Sequence, residues 1–193
     1  SFVYNGIRDD FESMTPFTNG TYSISYMTIG TAFKDQDLLF RTFQDNWKII
    51  SQRLGNLNPN SSGQTTEGYA DGYGKNAQDV MVNAFLATYN GKDAESFGIR
   101  SFPRIPVPNW SLTYNGLASL PLFKNWVSSF SLKHIYNSQY SIAGYQSAAL
   151  FAESQGFPSQ KDGNGNFLPQ FQFQQISIFE KFAPLLGLDM RFK

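Results

Sequence analysis

Few residues in this chain have a type and spacing that could carry chemistry. His134 is the only histidine and cysteine is absent, which excludes His/Cys metal clusters and thiol chemistry. His134 also lies on the apolar parity of a long alternating stretch, where a packed or interfacial imidazole is favoured over a proton switch. Asp162, Asn164 and Asn166 in DGNGN put side-chain oxygens at every second position, as a calcium loop does, but the Glu that closes a helix–loop–helix calcium site does not follow. A plain Asn/Gly turn is the favoured reading there. The pairs Glu180/Lys181 and Asp189/Arg191 read as ladder or rim charges rather than acid/base couples. The run GYADGYGK at 68–75 has neither the spacing nor the preceding strand of a phosphate-binding loop. The expectation is no enzyme activity, no catalytic residue, no cofactor and no metal, with Asp162, Asn164 and Asn166 as a weak calcium candidate.

Patterning carries more than chemistry does. From Trp126 to Tyr145, WVSSFSLKHIYNSQYSIAGY alternates apolar and polar residues over twenty positions without a proline. A period of two means a strand with unlike faces. Strands usually run about 5–6 residues, and about 9–11 tilted residues cross a membrane as a barrel strand, so this one is expected to cross and project beyond. Phe130, Leu132, Tyr136, Tyr140 and Ile142 on its apolar parity, with Trp110, Leu112 and Tyr114 of a neighbouring alternating stretch, are expected to face lipid. Ser129, Ser131, Lys133, Asn137, Gln139 and Ser141 are expected to face a hydrated lumen. Periodicity alone leaves open a soluble core in place of lipid.

Composition fits a two-faced sheet. Charged residues make up 16% of the chain and aromatic residues 17%, against about 25% charged in typical soluble domains. No apolar run of about 18 residues occurs, which excludes a transmembrane helix; a barrel escapes that test because every second residue faces away from lipid. The formal net charge is zero without a basic cluster, so nucleic acid is not an expected partner.

Three stretches follow in order. Residues 1–33 are expected to be an approach segment, with acidic Asp9, Asp10 and Glu12, leading into a barrel strand that runs to about Phe33. Residues 34–100 are expected to be a helical insertion. Its first helix, about 37–54, has Leu39, Phe43, Trp47, Ile50 and Leu54 on one face, Asp35 or Asp37 as cap and Gly55 after its end. Its second, about 76–90, has Met81, Ala84, Phe85, Thr88 and Tyr89 on one face and Gly91 as its stop, and the 55–75 stretch between them reads as irregular. Residues 101–193 are expected to be antiparallel barrel strands with short turns at 117–125 and 181–185 and a long polar loop at 148–169. A parity switch at Gln174-Gln175 implies a bulge, and the last strand, Leu186 to Lys193, is expected to pair outside this sequence. The chain starts at Ser1 without a signal-like segment, so a mature or internal piece is expected. The fold class is mainly β: a slice of a large antiparallel transmembrane β-barrel with an inserted pair of α-helices.

Several strings, in order, carry a resemblance: IISQRL at 49–54, GYGKNAQDVMVNAFLATYNGKDA at 72–94, FPRIPVPNWSLTYNGL at 102–117, SFSLKHIYNSQYSIAGY at 129–145 and ISIFEKFAPLLGLDMRFK at 176–193. From about Gly20 to Lys193 the chain resembles the C-terminal part of the SprA (Sov) family, the outer-membrane translocon of the type IX secretion system of Bacteroidetes. The resemblance implies a wide single-chain barrel in the outer membrane of a Gram-negative bacterium that exports folded cargo, including gliding-motility adhesins. It implies as partners the remainder of the barrel chain, a PorV-like small barrel, a periplasmic plug protein, secreted cargo with a C-terminal signal, and outer-membrane lipid. Two other readings stand beside it: a passive porin or nutrient-uptake barrel, and a soluble α+β surface adhesin.

Overall fold

The computed structural model describes residues 2–4 and 14–193; the acidic cluster Asp9, Asp10 and Glu12 lies outside them. The elements in order are β1 (Phe2–Tyr4), β2 (Met14–Pro16), β3 (Asn19–Ser25), α1 (Gln36–Leu57), β4 (Thr65–Thr66), β5 (Tyr69–Ala70), α2 (Gln78–Asn90), β6 (Trp110–Tyr114), a 3₁₀ turn at Gly116–Ser119, β7 (Val127–Ser147), β8 (Glu153–Ser154), β9 (Phe157–Pro158), β10 (Phe171–Phe182) and β11 (Gly187–Phe192). The described residues are thus mainly β, with antiparallel sheets and two helices. The pairs β1–β2, β4–β5 and β8–β9 stand apart as two-stranded ribbons. Two of these ribbons turn through Glu67-Gly68 and Gln155-Gly156, all at positive φ, the two-residue turn whose twist matches paired strands.

The main sheet has five strands, and β7 pairs with each of the other four. Along one edge of β7 run β3 and then β6. Ser147 N donates to Thr18 O, Tyr26 N donates to Ser138 O at 3.2 Å, and Trp110 to Tyr114 oppose Tyr136 to Leu132. Along the other edge run β10 and then β11, so the five strands make three strand lines. The expected turn at 181–185 is not a reversal. Ala183 N donates to Ile135 O and Ile135 N donates to Pro184 O, so the chain keeps its direction along β7 and continues as β11. Nor does β11 lack a partner: Gly187 to Phe192 pair with Lys133 to Val127. The burial of β10 switches parity between Phe173 and Ile176, at the place expected for a bulge. Among the described residues the sheet is open and does not close into a barrel.

Two compact units divide the described residues: those within Ser1–Ser23, Thr28–Arg104 and Ser141–Ser177 form one, and Ile24–Met27, Ile105–Tyr140 and Ile178–Lys193 form the other. In the first, the helical unit, Asp35 Oδ1 caps α1 by accepting from Leu38 N at 2.9 Å. Leu39 and Ile50 are buried and Phe43, Trp47 and Leu54 half-buried, the row read from the spacing. The helix does not stop at Gly55, which is buried so close to β5 that an added Cβ would sit 2.4 Å from the Ala70 Cβ. α2 ends where Gly91 turns left-handed. Its buried residues are Val80, Val82, Asn83, Ala84, Leu86, Ala87 and Thr88, while Met81 is exposed. A helix enclosed on most sides carries no single apolar stripe, which is why the expected face was displaced. Tyr73, Ala77, Val80 and Phe167 form a core with Trp47 and Leu54 against it. Asn46 Nδ2 ties the helices by donating to Thr88 Oγ1 at 2.9 Å. Neither helix is long and apolar enough to cross a membrane.

In the second, the sheet unit, the strand expected to reach Phe33 stops at Ser25. There Ser138 of β7 meets two segments: its N–H donates to Asn109 Oδ1 at 2.8 Å and its C=O accepts from Tyr26. A side-chain amide thus fills the ladder position between β3 and β6.

Candidate membrane-wall surface

In an antiparallel ladder, residues directly opposite share a face. The register of the sheet unit therefore sorts its residues without reference to function. One face carries the rows Tyr114–Leu132–Leu188, Leu112–His134, Trp110–Tyr136 and Phe130–Met190. The other carries Thr113–Lys133–Gly187, Ser111–Ile135, Ser131–Asp189 and Ser129–Arg191. The first face is apolar, and much of it stands open: Leu112 is 60% exposed, Tyr114 55%, Leu188 61% and Phe192 65%. The second is polar in every row, with Ile135 its one apolar member.

Aromatic residues bound the apolar face at both ends. At one end Trp126 stacks on Phe192 at 5.7 Å, with Phe123 against Trp126 and Phe130. Trp126 Nε1 donates to Leu122 O at 2.7 Å, leaving the indole body on the apolar side. At the other end Trp110 stacks on Tyr136 at 4.5 Å, and Phe182 packs on Tyr136 and His134. Tyr136 OH donates to Glu180 Oε1 at 2.6 Å. The ten residue steps from Trp126 to Tyr136 span about 33 Å at about 3.3 Å per residue. A strand tilt of about 40° reduces that to about 25 Å, the height of the apolar band on a membrane barrel.

The structure places the expected lipid-facing residues in two groups. Leu112 and Tyr114 are exposed, and Trp110, Phe130 and Leu132 half-buried, all on the open apolar face. Tyr136, Tyr140 and Ile142 are enclosed by protein, at 1%, 0% and 0% exposure. Trp110 and Phe182 cover Tyr136, and Tyr26 lies 5.9 Å from Tyr140, ring to ring. These three are corrected from lipid contacts to packed residues. Parity groups them with Leu132 on one side of β7 but carries no information on where that side becomes covered. Of the expected lumen-facing residues, Ser129, Lys133, Asn137 and Gln139 are exposed, and Ser131 and Ser141 half-buried.

The candidates for chemistry have structural roles. His134 Nδ1 donates to Leu185 O at 2.5 Å. Asp162 Oδ1 accepts from the amides of Asn164 and Asn166 at 2.8 and 2.9 Å, and Asn166 Oδ1 accepts from Gly74 N at 2.8 Å. Those oxygens serve an Asx turn and its docking rather than converging on a cation, and Phe167 N beside them donates to Gly72 O. Two features of the helical unit had no sequence signal, since their partners lie far apart in the chain. Lys161 reaches Asp71 at 2.6 Å, and this bond holds the Asp71 carboxyl below its ordinary value. Gln78 acts as a strand partner for β10: its Nε2 donates to Phe171 O at 2.7 Å and its Oε1 accepts from Phe173 N at 2.8 Å. No family model matches the chain, and no curated protein matches it.

Proposed function

We propose that this chain is a segment of the wall of a wide outer-membrane β-barrel, the protein-conducting channel of a type IX secretion system of the SprA (Sov) kind. The observation that carries the reading is the sheet unit itself. Three antiparallel strand lines present one open apolar face bounded by aromatic residues and one face of Ser, Thr, Lys, Asp and Arg. Burying an exposed apolar face of that kind in lipid removes the cost of hydrating it. The hydroxyl-rich face is suited to line a conduit that admits folded proteins without holding them. A barrel that wide needs many strands, and the open edges of this sheet are where the remainder of the barrel chain would pair. The PorV-like barrel, plug protein and tagged cargo belong to this proposal through the sequence resemblance alone.

The test is secretion in a Bacteroidetes cell whose translocon lacks this segment. Cargo with a C-terminal signal is expected to accumulate in the periplasm, and normal secretion would sink the proposal. A porin would instead lose small-solute uptake while cargo export continued.

A further inference from the structure

We propose that the helical unit binds an arginine or lysine side chain of a polypeptide, in a pocket of about 560 Å³ beside the start of α2, with Asp79 as the counter-ion. That volume is ordinary for a ligand site. Phe102, Phe151, Phe171 and Phe173 supply the apolar walls, and Phe102 sits edge to face with Phe171 and Phe173 at 5.8 and 5.3 Å. The Asp79 carboxylate lines the same pocket with no hydrogen bond or ion pair among the described residues. Its backbone carbonyl is occupied, accepting from Asn83. A carboxylate without a partner among aromatic rings matches a cation on an apolar stem: the charge answers Asp79, and the ring faces attract ammonium and guanidinium groups.

The other charges around the pocket select among cations. Glu153 adds a second negative charge and Arg104 a positive one. Arg104 disfavours a second cation on the ligand and offers donors to a carbonyl oxygen. A polypeptide presents such an oxygen next to each basic side chain, and an alkyl diamine does not. Glu153 and Arg104 face the same pocket as Asp79, and the Tyr73 phenol feels the Asp79 charge. Desolvation pushes the Asp79 carboxyl up to about 6, so cation binding requires the proton to leave and weakens as pH falls through that value. The inference rests on the helical unit alone and is independent of the membrane-wall reading.

The experiment is calorimetric titration of the full chain in detergent micelles with N-acetyl-arginine methylamide, its neutral citrulline analogue, and putrescine. The arginine probe is expected to bind at least about tenfold more tightly than either of the others. Asp79→Asn is expected to erase that preference while keeping the wild-type circular dichroism. Near pH 6 binding is expected to release protons, read as a dependence of the heat on the ionisation enthalpy of the buffer. Equal binding of the arginine and citrulline probes, or an unchanged preference in Asp79→Asn, overturns the counter-ion role. No binding of the arginine probe at about 10 mM overturns the site, and putrescine binding as tightly as arginine overturns the polypeptide assignment.

Discussion

Leu132 and Ser131 are chain neighbours whose side chains leave β7 in opposite directions. Leu132 lies between Tyr114 and Leu188 on the apolar face, and Ser131 lies opposite Asp189 on the polar one. In the proposed membrane wall Leu132 sits near mid-bilayer, so Leu132→Arg is expected to destabilise the inserted protein by about 2–4 kcal/mol, because the guanidinium loses its hydration. Ser131→Arg is expected to change stability by less than about 0.5 kcal/mol, as a substitution on a hydrated surface does. Urea unfolding in lipid vesicles measures both; equal effects would mean that the two faces meet the same medium. Asp79 gives a second prediction at this scale. Its carboxyl is raised to about 6 by desolvation, so the folded state holds the proton more tightly than the unfolded chain does. The resulting stability is complete below the unfolded value of about 3.9 and is lost as pH rises through about 6. Asp79 lies in the first turn of α2, where the helix dipole favours the anion and offsets part of the cost. Asp79→Asn should therefore gain about 1–2 kcal/mol at pH 7, followed by the helical circular dichroism signal in urea, and lose the pH dependence between 4 and 6. A wild-type stability that rises over that window would contradict the assigned environment of the carboxyl.

At the scale of elements, Gly55 tests how α1 packs. In an open helix, glycine to alanine stabilises by about 0.5–1 kcal/mol. Here the added methyl would lie 2.4 Å from the Ala70 Cβ, so Gly55→Ala is expected to lower stability by about 1–3 kcal/mol; a gain in thermal stability would show that α1 and β5 are not in contact. The same residue shows where the sequence was legible and where it was not. The α1 row from Leu39 to Leu54 could be read because one side of that helix meets the core and the other meets water. A glycine after that row looks like a stop, and its use as a contact point depends on β5, a partner fifteen residues on. The face of α2 was misread because enclosure on most sides erases the periodic signal. Pro184 made 181–185 look like a reversal, yet its carbonyl continues the ladder to Ile135. Alternation in β6, β7 and β11 was legible because each strand has unlike faces. The depth at which the β7 face becomes covered was not, because Trp110, Phe182 and Tyr26 come from remote parts of the chain. Nothing in the spacing singled out Asp79, Gln78 or the Asp71–Lys161 pair.

For the whole molecule, the proposed wall sets the open apolar face of the sheet unit in lipid and its polar face in water. These 193 residues contain no cysteine, so in a protein cleared of cysteine elsewhere each introduced one reports its own position. The direct measurement is to place cysteines one at a time at 129 to 133 and 188 to 191 in the membrane-inserted protein and to label them with a membrane-impermeant maleimide. An alternating record is expected. Positions 129, 131, 133, 189 and 191 react readily, and positions 130, 132, 188 and 190 are protected until detergent dissolves the membrane. Uniform labelling at both parities before detergent is added would contradict it.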